Sequence, residues 1–166
     1  LDRTPKRYYR PANAFERTAL TRFEKIQTEI YESTEEGSSQ IAKEVSDLIR
    51  NRKKEGRFCV MALGSGPGTH SVYKELVRLH RDEKLSFSNV IVFNISEFYP
   101  LDETAPGTTR ILQETLLNQV DIDPTNVFTP RGTTEKEGVF EFCKEYEKSI
   151  ENYGGLDLAL LEIGPL

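Results

Sequence analysis

The sequence predicts an α/β protein with three layers, a mostly parallel sheet carrying helices on both faces. Three observations point there. Two continuous apolar runs, Phe58–Leu63 and Val90–Phe93, have the make-up of strands covered on both sides. Around them, apolar residues recur at helical spacing. Strands and helices alternate along the chain, which implies parallel strands joined by right-handed crossovers, a Rossmann-like arrangement.

The elements follow in order. The first ten residues, rich in Arg, Lys and Tyr, read as an extended arm. Asn13 with Glu16 is a capping pattern that opens a short helix carrying Phe15, Ala19, Leu20 and Phe23. Residues 1–25 are therefore expected to form an N-terminal arm and short helix, and residues 26–166 the α/β domain. Ile26, Thr28, Ile30 and Tyr31 suggest a brief strand. Ser33 with Glu36 is a second capping box, followed by the helical stripe Ile41, Val45, Leu48 and Ile49. The basic end Arg50–Lys54 suits the helix dipole, and Gly56 is a natural stop.

After the Phe58–Leu63 strand and a tight glycine turn, Val72, Leu76, Val77 and Leu79 mark a helix. The Val90–Phe93 strand leads through a proline-containing loop to a helix with Ile111, Leu112, Leu116 and Leu117. Val127 and Phe128 form a short extra strand; Val139, Phe142, Tyr146 and Ile150 form one more helix; Leu156–Ile163 is the last strand. The chain stops at Gly164-Pro165-Leu166, just where a strand hands over to a functional loop. The expectation is a domain incomplete at its C-terminus.

Composition excludes several classes. The chain has 166 residues, a net charge of −5 and 30% charged residues. A protein that tracks phosphates along a nucleic acid carries a basic excess, so no nucleic-acid partner is expected. The longest apolar run, Phe58–Leu63, is far short of the roughly 20 residues a membrane helix needs, so no membrane is expected. Cys59 and Cys143 lie far apart without metal-ligand spacing; both read as buried thiols, in a cytoplasmic setting, with no metal. The two histidines read as solvated helix residues, His70 beside the glycine turn and His80 among Arg78, Arg81 and Asp82.

Ligands of open parallel sheets sit beyond the carboxyl ends of the strands. Three stretches lie there: Gly64–Thr69, Asn94–Tyr99 and Gly164–Leu166. In the first, Gly64, Gly66 and Gly68 let the backbone approach an anion, the following helix offers free N–H groups, and Ser65 and Thr69 add hydroxyls. It is neither a Walker loop nor GxGxxG. The local sequence leaves open an anion site or a sharp turn without a ligand. In the second stretch, Asn94, Ser96 and Glu97 stand where the crevice opens. Glu97 has the chemistry to move a proton or bind sugar hydroxyls, and Ser96 can hydrogen-bond but needs a partnering base to do more. Taken alone, Asn94 reads as a turn former and Glu97 as a surface or capping residue.

Taken together, the motifs are more specific. Phe58–Gly66, Val72–His80, Leu85–Asn94, Val120–Val127, Cys143–Glu147 and Tyr153–Leu158, in this order, resemble the glucosamine-6-phosphate deaminase (isomerase) family. The likeness runs from about residue 26 to the end, and 6-phosphogluconolactonase is the related competitor. The resemblance implies conversion of glucosamine 6-phosphate to fructose 6-phosphate and ammonia, by ring opening and proton transfer, without cofactor or metal. It implies a sugar phosphate as small-molecule partner and a homo-oligomer. Gly64, Ser65, Gly66, Gly68, Thr69 and Asn94 become the expected substrate-binding residues, with Glu97, and Ser96 at the position of the base, the expected catalytic ones.

Departures from the family pattern stand out in three motifs. Pro67 removes one loop N–H, and Gly68 takes the place of a hydroxyl. Ser96 replaces the Asp of Phe-Asn-x-Asp-Glu-Tyr, and Leu166 falls at the Asp of Gly-x-Gly-x-Asp-Gly-His. An impaired paralogue that binds sugar phosphate, or a lactonase-like hydrolase, is therefore the alternative.

Overall fold

The computed structural model describes residues 28–101, 107–130, 132 and 135–162. The expected arm and first helix, and the stretch Gly164–Leu166, lie outside them. The chain divides into two compact units, Leu1–Gly37 and Ser38–Leu166.

Helix α1 spans Thr34–Lys54. Ser33 caps it through its hydroxyl, which accepts the Glu36 N–H at 3.1 Å, and Glu36 in turn accepts the Glu32 N–H at 3.0 Å. Gly56 ends it with φ at +68°, a left-handed turn that costs glycine no Cβ clash. Next come strand β1 (Cys59–Leu63), helix α2 (His70–Glu83), strand β2 (Val90–Asn94), helix α3 (Thr108–Thr115), the two-residue strand β3 (Val127–Phe128), helix α4 (Val139–Asn152) and strand β4 (Leu158–Leu160). The four strands are parallel, in the order β3-β2-β1-β4. Leu63 pairs with Asn94 on one side and with Leu160 on the other, so the loops after β1, β2 and β4 leave the sheet side by side.

Alternation along the strands builds two cores, as a sheet covered on both faces requires. Cys59, Met61 and Leu63 of β1 and Val90 and Val92 of β2 pack with residues of α1, α2 and α3, among them Ile49, Tyr73, Leu76 and Leu112. Val60, Ile91 and Phe93 point the other way, against Phe128 and the α4 residues Tyr146 and Ile150. This is the three-layer α/β arrangement the sequence predicts. At the amino end of the sheet, Arg52 clasps Asp157 through Nε (3.0 Å) and Nη2 (2.7 Å), while Asp157 also accepts the Val60 N–H at 3.0 Å. No helix of the described residues is long and apolar enough to cross a membrane, and none of them form a cluster able to hold a metal ion.

Four expectations need correction. Residues 28–31 form no strand. The last strand is only Leu158–Leu160, so Glu162 belongs to the loop beyond it. Cys143 is exposed on α4, unlike the buried Cys59. His80 is a packed residue, its Nδ1 donating to the Leu85 carbonyl at 2.6 Å and its ring edge-on to Phe87.

Candidate functional site

The loop after β1 is a built turn. The Thr69 hydroxyl donates to the Gly66 carbonyl at 2.9 Å, and its N–H reaches the same oxygen at 3.1 Å. The buried Tyr73 hydroxyl, from the first turn of α2, donates to the Gly64 carbonyl. Burial pushes the Tyr73 phenol up to about 12, with the Thr69 hydrogen bond opposing and the charge of Glu162 adding to the rise. Pro67 opens a single 3-10 turn that runs straight into α2. Thr69 is thus spent on shaping the loop. Ser65 is nearly buried, and neither its hydroxyl nor the N–H groups of Ser65 and Gly66 have a partner among the described residues.

The same loop holds a carboxylate of the chain itself. Glu162 Oε2 accepts the Gly68 N–H at 3.0 Å. A Cβ placed on Gly66 would lie 1.2 Å from Glu162 Oε1, so the carboxylate fills the space that only a glycine leaves open. Sequence reasoning missed Glu162 because it extended the last strand through Ile163. The signal was present: counting back from Leu166 along Gly-x-Gly-x-Asp puts Glu162 at the first glycine.

The loop after β2 is organised around Glu97. Its carboxylate accepts the N–H groups of Phe98 (2.9 Å), Thr108 (2.7 Å) and Thr109 (3.0 Å) and the Thr108 hydroxyl (3.2 Å). Two of these N–H groups open α3, so Glu97 caps that helix from a distant loop. Gly107 leaves room for it, since a Cβ there would stand 2.8 Å from either oxygen. Partial burial pulls the Glu97 pKa upward, but the Thr109, Phe98 and Thr108 donors outweigh it and hold the carboxyl below its usual range.

Asn94, fully buried, donates through Nδ2 to the hydroxyls of Thr108 (3.2 Å) and Thr109 (3.1 Å), and its Oδ1 has no donor among the described residues. Ser96 is exposed, and its carbonyl accepts the Thr108 hydroxyl. His70 is exposed in the first turn of α2. The structure therefore brings Gly64–Thr69, Asn94–Glu97 and Glu162 to one edge of the sheet.

Known proteins share this architecture. Residues 24–165 match the family of glucosamine-6-phosphate isomerases and 6-phosphogluconolactonases. A glucosamine-6-phosphate deaminase-like protein of Bacteroides thetaiotaomicron is 54% identical over 99% of this chain, which spans 25% of that protein. A glucosamine-6-phosphate deaminase of Clostridium botulinum is 37% identical over 75% of this chain and 51% of its own length. Among solved structures, a monomeric glucosamine-6-phosphate deaminase superposes with a TM-score of 0.76 at 26% identity, over 84% of this chain and 56% of that one. The 6-phosphogluconolactonase of Thermotoga maritima shares the fold, with a TM-score of 0.62 at 20% identity over 77% of this chain and 56% of its own. The chain thus spans between a quarter and about half of these relatives. With nearly the whole sequence matched and the same sheet underneath, this chain belongs to the glucosamine-6-phosphate isomerase/6-phosphogluconolactonase family.

Proposed function

We propose that the Gly64–Thr69 loop binds the phosphate of a hexose 6-phosphate, as part of a glucosamine-6-phosphate deaminase/isomerase-like protein. One observation carries this reading. The loop leaves the strand next to the sheet's centre, runs into the N-terminus of α2, and keeps the Ser65 and Gly66 N–H groups and the Ser65 hydroxyl unspent among the described residues. Its Gly68 N–H already receives an oxyanion, the Glu162 carboxylate. Family membership supports the sugar-phosphate class, and the relatives named glucosamine-6-phosphate deaminase support an amino sugar.

The reaction takes glucosamine 6-phosphate and water to fructose 6-phosphate and ammonia, and needs a proton carried from C2 to C1. A hydroxyl such as Ser96 cannot take a carbon-bound proton at neutral pH without an adjacent base. Glu97 is held below its usual pKa and committed to four donors, so it serves as a positioning residue that fixes α3 against the β2 loop. Asn94 keeps one buried acceptor for a ligand hydroxyl. The reading is a sugar-phosphate binder with impaired turnover.

Calorimetric titration with glucosamine 6-phosphate and with glucosamine, alongside an ammonia-release assay, tests it. Binding is expected for the phosphorylated sugar only, abolished in Gly66→Val. Ammonia release is expected to be at least about 10²-fold slower than in Ser96→Asp, the low end of what a general base contributes. Brisk release by the unaltered protein rejects impairment, and hydrolysis of 6-phosphogluconolactone in its place assigns the lactonase chemistry. Equal affinity for both sugars rejects the phosphate site.

A further inference from the structure

Glu162 is an exposed side chain that nevertheless adopts one specific seat. One oxygen takes the Gly68 N–H, and the other lies where a side chain at Gly66 would begin. No cation of the described residues stands within ion-pair distance of it, and among them its one hydrogen-bond donor is the Gly68 N–H. That N–H is one of the donors the loop offers a phosphate, beside those of Ser65 and Gly66. A carboxylate on Gly68 and a phosphate dianion on its neighbours repel each other, since both carry negative charge at a separation of a few ångströms. The loop therefore meets any anionic ligand partly filled.

We propose that Glu162 is a built-in competitor for the Gly64–Thr69 loop, a specificity-determining residue whose carboxylate must swing out before a phosphate monoester can bind. The inference rests on the reading of that loop as a phosphate site. Its consequences are physical. Glu162 lowers the affinity for free phosphate and for small phosphate esters that offer nothing beyond the anion. Ligands with a sugar to contact the Asn94–Glu97 loop have additional binding with which to displace it. Among the described residues Glu162 is held by a single hydrogen bond, and it lies outside β4, so its release leaves the sheet untouched.

The test is calorimetric titration of the intact protein, Glu162→Gln and Glu162→Gly with inorganic phosphate and with glucosamine 6-phosphate, after thermal melts confirm equal folding. Glu162→Gln, which removes the charge but keeps the shape, is expected to tighten phosphate binding about 3- to 10-fold. Glu162→Gly, which also empties the seat, is expected to tighten it about 10- to 100-fold, with a smaller gain for the sugar ester. Affinities of all three proteins within twofold overturn the competitor role while leaving the phosphate site standing. Loss of binding in both variants overturns it too, by making Glu162 a ligand contact. Absence of phosphate binding in all three removes the phosphate site itself, and the inference with it.

Discussion

Glu97 and Glu162 stand at the same edge of one sheet, after β2 and after β4, and both carboxylates sit on glycines and accept backbone N–H groups. Glu97 has three N–H donors and a hydroxyl, is half-buried, and closes the N-terminus of α3. Glu162 has one donor among the described residues and is exposed. The same functional group is thus a structural fastener in one loop and a replaceable occupant in the next. The difference lies in the count of donors and in what lies behind them: Glu97 organises a helix start, whereas the turn under Glu162 is already closed by Thr69 and Tyr73.

The largest effect expected from breaking this comparison is on Glu97. Glu97→Ala leaves three N–H groups without their acceptor and should cost about 2–4 kcal/mol, read as a drop in the urea midpoint with unchanged slope. A loss under about 1 kcal/mol would mean that water replaces the carboxylate freely.

Acid titration sharpens the same point. The folded Glu97 pKa is depressed from its ordinary 4.5, so its contribution is complete well above that value and fades as pH falls through the lower folded one. The stability advantage of the unaltered protein over Glu97→Gln should therefore hold at pH 7 and shrink below about pH 4.5. Denaturation curves at stepped pH measure it, and a gap that stays constant down to pH 3 contradicts the assignment. Asp121, Asp123 and Asp157, also held low, weaken both proteins alike in acid.

A smaller loss, about 1 kcal/mol, is expected for Tyr73→Phe, which removes one hydroxyl donor to the Gly64 carbonyl without creating a large cavity. Thermal melts read it, and a neutral outcome would show that the loop holds its shape through Thr69 alone.

The smallest effects belong to the second carboxylate. Glu162→Ala and Gly66→Ala should each stay within about 0.5 kcal/mol of the unaltered protein in urea unfolding. Gly66 has φ −78° and ψ 169°, open to any residue, and an alanine there merely evicts a flexible exposed side chain. A loss above 1.5 kcal/mol in either would place Glu162 beside Glu97 as a fastener.

The sequence made the scaffold readable for a simple reason. Runs such as Phe58–Leu63 and stripes such as Val72, Leu76 and Val77 report burial directly, and burial is what forms β1, β2 and α2. The glycine turn and the polar residues of the β2 loop were legible as well, because they follow those strands. The partners were not. Glu97 meets Thr108 and Thr109, and Glu162 meets Gly68 across 94 residues of sequence, so neither pairing leaves a local pattern. His80 looked solvated because its charged neighbours mask a bond to the Leu85 carbonyl. The expected strand Leu156–Ile163 is too long because the apolar pattern outlasts the three residues that pair with β1.

The Tyr146 hydroxyl lies 3.0 Å from the Asn94 carbonyl and 2.9 Å from that of Phe128, a single α4 phenol shared by the outgoing ends of two neighbouring strands. Such a contact ties α4 to the ends of β2 and β3 at once. The expected consequence is that α4 and the outgoing end of β2 move together. Amide exchange along α4 should accordingly rise and fall in step with that of β2 rather than with that of the glycine turn.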